Sequence, residues 1–195
     1  MIFNQHKNLH GLHAPFSASS ASWLRYSEEK AIEVYKNRKA AELGTRLHAW
    51  AKETIDLGLK QPRSKKTLCA YVNDAIGFKM STEVVLYHSD RFFGTADAVS
   101  FRRGPNDRYM LRIHDLKTGK NGDIEKHVDQ LEVYAALFCL EYKFEPDDID
   151  MELRVYKNDE VWVHNPAPED IRQVMDKIIE LDQLIAKIDF EEGAW

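Results

Sequence analysis

Arg112-Ile-His-Asp115-Leu-Lys117 is the stretch on which the reading of this chain turns. It alternates as a strand does. Alternate strand residues face the same side roughly 6–7 Å apart, so the Asp115 carboxylate and the Lys117 ammonium share one pocket. A hard cation takes the first group, and a water that must lose a proton can use the second. Asp-x-Lys alone is also what a surface ion pair looks like, so the flanking residues carry the weight. Upstream, Gly94-Thr-Ala-Asp97 supplies another carboxylate. Downstream, Gln130 and Tyr134 lie four apart, on one face of any helix that holds them.

Working outward, residues 109–117 read as the third strand of a meander. Its first two strands cover 83–87 and 92–101, with turns at Ser89-Asp90-Arg91 and Gly104-Pro-Asn-Asp107. Ahead of the meander, Ser17-Ala-Ser-Ser-Ala-Ser-Trp23 offers N-cap hydroxyls to a short helix. A long helix then covers about 27–58, with Leu43, Leu47 and Trp50 at helical spacing and Gly58 as C-cap; a shorter helix follows at 67–78. After the meander, Asn121-Gly-Asp123 opens a helix to about 144. Strands at 150–156 and 160–164 turn around Asn158-Asp159, and Pro168 with Glu169 and Asp170 starts a last helix. Ile171, Val174, Met175, Ile178, Leu181, Ile185 and Ile188 form its apolar stripe. This order predicts an α/β (α+β) domain with a central mixed sheet, a three-strand meander and flanking helices.

At 195 residues the chain has single-domain length, 1–195, with positions 1–15 expected to be loosely ordered. His6, His10 and His13 fall in that stretch without fixed partners, so they are not read as a metal cluster. No apolar run approaches the ~20 residues of a membrane span, and the polar start lacks a leader's apolar stretch. With only Cys69 and Cys139, far apart, a reducing, cytoplasmic setting is expected. The net charge of −5 argues against a sequence-independent nucleic-acid coat. Local basic runs such as Lys36-Asn-Arg-Lys39 and Arg102-Arg103 read first as solvated faces.

Gly44-Thr-Arg-Leu-His48 on the first long helix, Gly94-Thr-Ala-Asp97, Asp115-Leu-Lys117-Thr-Gly119 and Gln130-Leu-Glu-Val-Tyr134 occur in that order, after the serine segment Ser17 to Tyr26. Together they resemble the PD-(D/E)xK nuclease superfamily, in particular its RecB-like, Cas4-like branch of phage-type exonucleases. The resemblance implies a restriction-endonuclease-like core. It also implies a Mg²⁺ or Mn²⁺ ion held by His48, Asp97, Asp115 and the Leu116 carbonyl. Lys117 would act on the attacking water, Gln130 and Tyr134 would line the site, and Glu83 is a candidate for a supporting role or a second metal. The implied activity is DNA hydrolysis, as an exonuclease in replication, recombination or repair of a phage or bacterium, alongside other proteins of those processes. The alternative is a non-catalytic DNA-end-binding subunit of a larger assembly. Arg25, Lys36, Arg38, Lys120 and Lys126 are the candidates for a basic DNA groove. The chain departs from the branch in one respect: Tyr26 stands where Cas4-like members carry a cysteine, and no cysteine occurs in 144–195. No iron–sulfur cluster is therefore expected, and no phosphate loop of a helicase motor is present.

Overall fold

The computed structural model describes residues 7–9, 14–104, 107–119 and 123–191. His6, His10, His13, Lys120, the middle of the Gly104–Asp107 turn and the Asn121-Gly122 pair lie outside them. Contacts divide the chain into two compact units, Met1–Arg46 and Leu47–Trp195.

In the first unit the serine segment behaves differently from expectation. Ser20 precedes the 3-10 turn Ala21–Arg25 without making a side-chain capping bond. Ser17 is the residue that ties the segment together. Its Oγ accepts the Ser19 N–H at 3.3 Å, and its carbonyl accepts the Trp23 indole N–H at 2.8 Å. The Trp23 ring meets Phe16 edge-on.

Helix α1 spans Glu28–Asp56. Of the apolar residues at helical spacing, Leu43 and Trp50 are both exposed. The inward positions are instead Leu47 and His48, half-buried, and Ala51, Thr54 and Ile55, fully buried. Ala51 and Ile55 join the cluster that α2 forms with Ala98, Leu116 and Tyr156. Gly58 ends the helix as anticipated, with φ +67°. The Gly58 N–H reaches the Ile55 carbonyl and the Leu59 N–H that of Thr54, the two bonds of a Schellman stop.

The second unit is an α+β layer structure around a five-stranded mixed sheet in the order β1-β2-β3-β4-β5. These strands are Ser81–Ser89, Phe92–Arg103, Tyr109–Lys117, Ile149–Lys157 and Glu160–His164. The first three form the antiparallel meander, β4 lies parallel to β3, and β5 returns antiparallel. The parallel step is made by helix α3, Ile124–Tyr142, since parallel neighbours need a long crossover. Asp123 caps α3 by accepting the Glu125 N–H. The turn between β4 and β5 places Asn158 and Asp159 at φ 51° and 62°, the mirror-image geometry that two-residue hairpins favour.

Helices α3 and α4 (Pro168–Glu191) cover one face of the sheet, where Leu86, Leu111, Ile113, Leu131, Leu153 and Ile171 are buried. Each such side chain stabilises by about 1.5–3 kcal/mol. The α4 stripe is buried only in part: Ile171 and Ile178 lie inside, whereas Ile188 is exposed. On the other face α2 (Thr67–Gly77) packs its Tyr71, Val72 and Ala75 with Ala51, Ile55, Ala98, Leu116 and Tyr156. Among the described residues no helix is long and apolar enough to cross a membrane.

An added Cβ at Gly58 would meet nothing within 4 Å, so Gly58→Ala isolates the cost of a left-handed backbone. It should destabilise by about 1 kcal/mol with an unchanged urea m-value.

Candidate functional site

The sheet loosens within the β1–β2 ladder. The β1–β2 ladder pairs Thr82 with Ala98 and Val84 with Ala96, but skips Glu83 and Asp97. Glu83 takes φ 50°, a left-handed conformation that side chains rarely adopt. Ala96 lies in the cluster beneath α3 and Ala98 in the one beneath α2, so strand alternation slips by one residue at Asp97. The β2–β3 ladder also begins only at Ala98 and His114, while β3 stays paired with β4 through Lys117. Asp115, Leu116 and Lys117 therefore have a strand neighbour on one side alone. On the other, Asp97 Oδ2 accepts the Leu116 N–H at 2.9 Å.

Into this gap α1 delivers His48, whose Nδ1 is 3.4 Å from Asp97 Oδ2. The Asp97 carboxylate raises the imidazole above its ordinary value, against the opposing effect of burial. His48, Asp97 and Glu83 line the same cleft together with Ala51, Lys52 and Tyr71. Asp115 is the deepest member, its side chain only 5% exposed. Burial pushes its carboxyl up to about 6, with Asp97 adding to the rise and Lys117 opposing it. The Lys117 Nζ lies 3.0 Å from Asp115 Oδ2, but that oxygen receives no well-aligned hydrogen bond from any described residue. Attraction without a directed donor leaves lone pairs on a buried carboxylate, an arrangement that costs stability unless something completes it.

Helix α3 supplies the roof. Lys117 donates to Gln130 Oε1 at 2.9 Å, Gln130 Nε2 donates to the Tyr134 hydroxyl at 3.2 Å, and that hydroxyl donates to the Thr95 carbonyl at 2.8 Å. The relay fixes the amide orientation of Gln130 and ties β3 to β2 across the gap. Gly94 is required beneath it, since a Cβ there would stand 2.7 Å from Tyr134 Cε1.

The structure thus brings together His48, Glu83, Asp97, Asp115, Leu116, Lys117, Gln130 and Tyr134. Among the described residues no three His, Cys, Asp or Glu side chains form a ready-made metal cage. The donor set nonetheless suits a hard or borderline divalent ion, and the orphaned Asp115 Oδ2 is the observation that such an ion would satisfy. Of the groove candidates, Arg25 closes the 3-10 turn of the first unit, Lys36 and Arg38 lie on the part of α1 within it, Lys126 is exposed on α3 of the second unit, and Lys120 lies outside the described residues. His114 points away from Asp115, as strand alternation requires. It is fully buried between Phe78 and Tyr156, and burial holds it down to about 3. Two residues went unread in the sequence, His127 and Lys157, which meet at 3.3 Å beside Lys117. Only the parallel pairing of β3 with β4 places Lys157 there.

No family model, curated protein or solved structure matches this chain.

Two outcomes follow from this geometry. The Asp115 carboxyl is raised in the folded state from its ordinary 3.8, so its favourable contribution is complete below that value and is lost as pH rises through about 6. Asp115→Asn should therefore raise the melting temperature by a few degrees at pH 8 in EDTA, and by less at pH 5, as read by calorimetry. Gly94→Ala should cost about 1–3 kcal/mol in denaturant unfolding, because the hydrogen-bonded Tyr134 ring cannot retreat cheaply.

Proposed function

We propose that this chain is a divalent-metal-dependent deoxyribonuclease with a restriction-endonuclease-like core of the PD-(D/E)xK type, acting as an exonuclease. The observation that carries the reading is the convergence of Asp97, Asp115, Lys117 and His48 at the gap between β2 and β3. There Asp115 Oδ2 is buried and meets the Lys117 ammonium at 3.0 Å without a well-aligned hydrogen bond. A surface ion pair has no reason to be buried and left incomplete.

His48, Asp97, Asp115 and the Leu116 carbonyl would hold Mg²⁺ or Mn²⁺. When bound, the ion supplies Lewis-acid polarisation of a phosphoryl oxygen and offsets the charge that builds during hydrolysis. The chain's own residues do the rest. Lys117 is an ammonium with three donors, one spent on Gln130 and one directed loosely towards Asp115. The remaining donor is available to a water, which it can orient towards phosphorus and whose acidity it can raise. Gln130 and Tyr134 hold the Lys117 side chain in one place, so the ammonium need not search for its position when substrate arrives. The Asp97 carboxylate bridges His48 and the Leu116 N–H and so sets the distance between α1 and β3.

The test is incubation of labelled linear and circular DNA with Mg²⁺ or Mn²⁺. An exonuclease degrades the linear substrate and spares the covalently closed circle. Asp115→Ala should lose both hydrolysis and calorimetric metal binding. Lys117→Ala should keep metal affinity while turnover falls about 10²–10⁴-fold. Equal loss of metal binding in the two variants would contradict the role given to Lys117, and an active Asp115→Ala protein would end the assignment.

A further inference from the structure

Helix α3 crosses the ends of three strands and places one polar side chain over each. Tyr134 stands over β2, where it reaches the Thr95 carbonyl, and Gln130 stands over β3, where it holds Lys117. His127 stands over β4, where its Nε2 meets Lys157 Nζ at 3.3 Å. The three residues are spaced i, i+3 and i+7, so the row is a single helix face. The sequence reading used two of its members. The third pair sits one strand spacing, about 4.8 Å, beyond Lys117.

Lys157 is an unusual residue to find there, because it is only 2% exposed. It pairs in register with Lys117 across the parallel β3–β4 ladder, and Lys117 and Lys157 both approach residues of α3. Lys157 also decides the chemistry of His127. An ammonium has only donors, so the imidazole Nε2 must accept, and the ring proton is forced onto Nδ1. Burial and the two lysines lower the affinity of the half-buried ring for a second proton. Fixed in one tautomer, it presents a single N–H donor at the edge of the site.

We infer that His127, held by Lys157, is a phosphate-contacting residue. Its Nδ1–H donates to the backbone phosphate next to the one positioned at Lys117, and Lys157 acts as the positioning residue behind it. This rests on the nuclease reading for the identity of the substrate. The contact itself is tested independently of turnover, with oligothymidylate as probe and Ca²⁺ replacing the activating ion.

In long-range proton–nitrogen NMR spectra of the labelled protein, the His127 ring should carry its proton on Nδ1, and oligothymidylate should move those signals. His127→Ala should weaken oligothymidylate binding about tenfold, the size of one hydrogen bond to a charged group. His127→Asn should recover most of that loss, because an Asn amide N–H falls near the position of Nδ1, whereas His127→Gln should not. Lys157→Met, a volume-conserving change, should mix the His127 tautomers and weaken binding in parallel. His127→Asn provides the check should Lys157→Met fail to fold. A ring proton found on Nε2, or unchanged oligothymidylate affinity in His127→Ala, would overturn the inference. Should wild-type protein leave DNA uncut while oligothymidylate still shifts the His127 nitrogens, the catalytic reading fails and the phosphate contact stands.

Discussion

A buried carboxylate at an unzipped point of a sheet is the constraint around which this structure is arranged. Removing an ionised carboxylate from water costs several kcal/mol unless partners are supplied. Asp115 is attracted by Lys117 and by His48, yet its Oδ2 receives no well-aligned hydrogen bond from any described residue. Much of the surrounding architecture reads as support for that arrangement. Glu83 takes a left-handed backbone, alternation slips at Asp97, and the Asp97 carboxylate replaces the missing ladder contact to Leu116. Strain of this kind persists only where the rest of the fold over-determines it. Here that rest is the well-packed face beneath α3 and α4.

The helices divide the tasks between them. α1 packs Ala51 and Ile55 into the cluster that includes α2, and from the same helix His48 reaches Asp97. α3 lies across strand ends and gives each a polar contact, so that Lys117 is held from above by Gln130 while its charge faces Asp115. α2 and the buried His114–Tyr156 pair occupy the opposite face, from which α2 adds only Tyr71 to the lining of the cleft. The Tyr156 hydroxyl is tied instead to Asp74 at 2.7 Å, which fixes α2 against β4.

Much of this was legible in the chain because it is local. The alternation of 109–117 and the hairpin residues Asp90-Arg91 and Asn158-Asp159 each appear where they were read, as does the Pro168 start of α4. The site was legible to the extent that it is written in short motifs: Asp115 with Lys117 and Gln130 with Tyr134 share faces by strand and helix periodicity, whereas Asp97 joins them where the ladder is interrupted and was read only from the resemblance. What escaped reading depends on non-local choices. Leu43, Leu47 and Trp50 share helical spacing on α1, but of these only Leu47 is half-buried. The residues inside are Thr54 together with Ala51 and Ile55, the last two packing with α2 rather than with a neighbour in sequence. The parallel register of β3 and β4 is set by the α3 crossover, so nothing near Lys157 announces that it will lie beside Lys117. The Ser20 cap failed for a related reason: Ser17, bound to Trp23, organises the segment.

The central claim is that the orphaned oxygen of Asp115 belongs to a divalent-ion site shared with Asp97 and His48. Diffraction from a crystal grown in Mn²⁺, recorded at the manganese edge, tests it most directly. One anomalous peak should appear with carboxylate oxygens of both Asp97 and Asp115 at about 2.0–2.3 Å and the His48 imidazole completing that side of the ion. A peak bound elsewhere, or none between Asp97 and Asp115 at saturating Mn²⁺, would contradict the account.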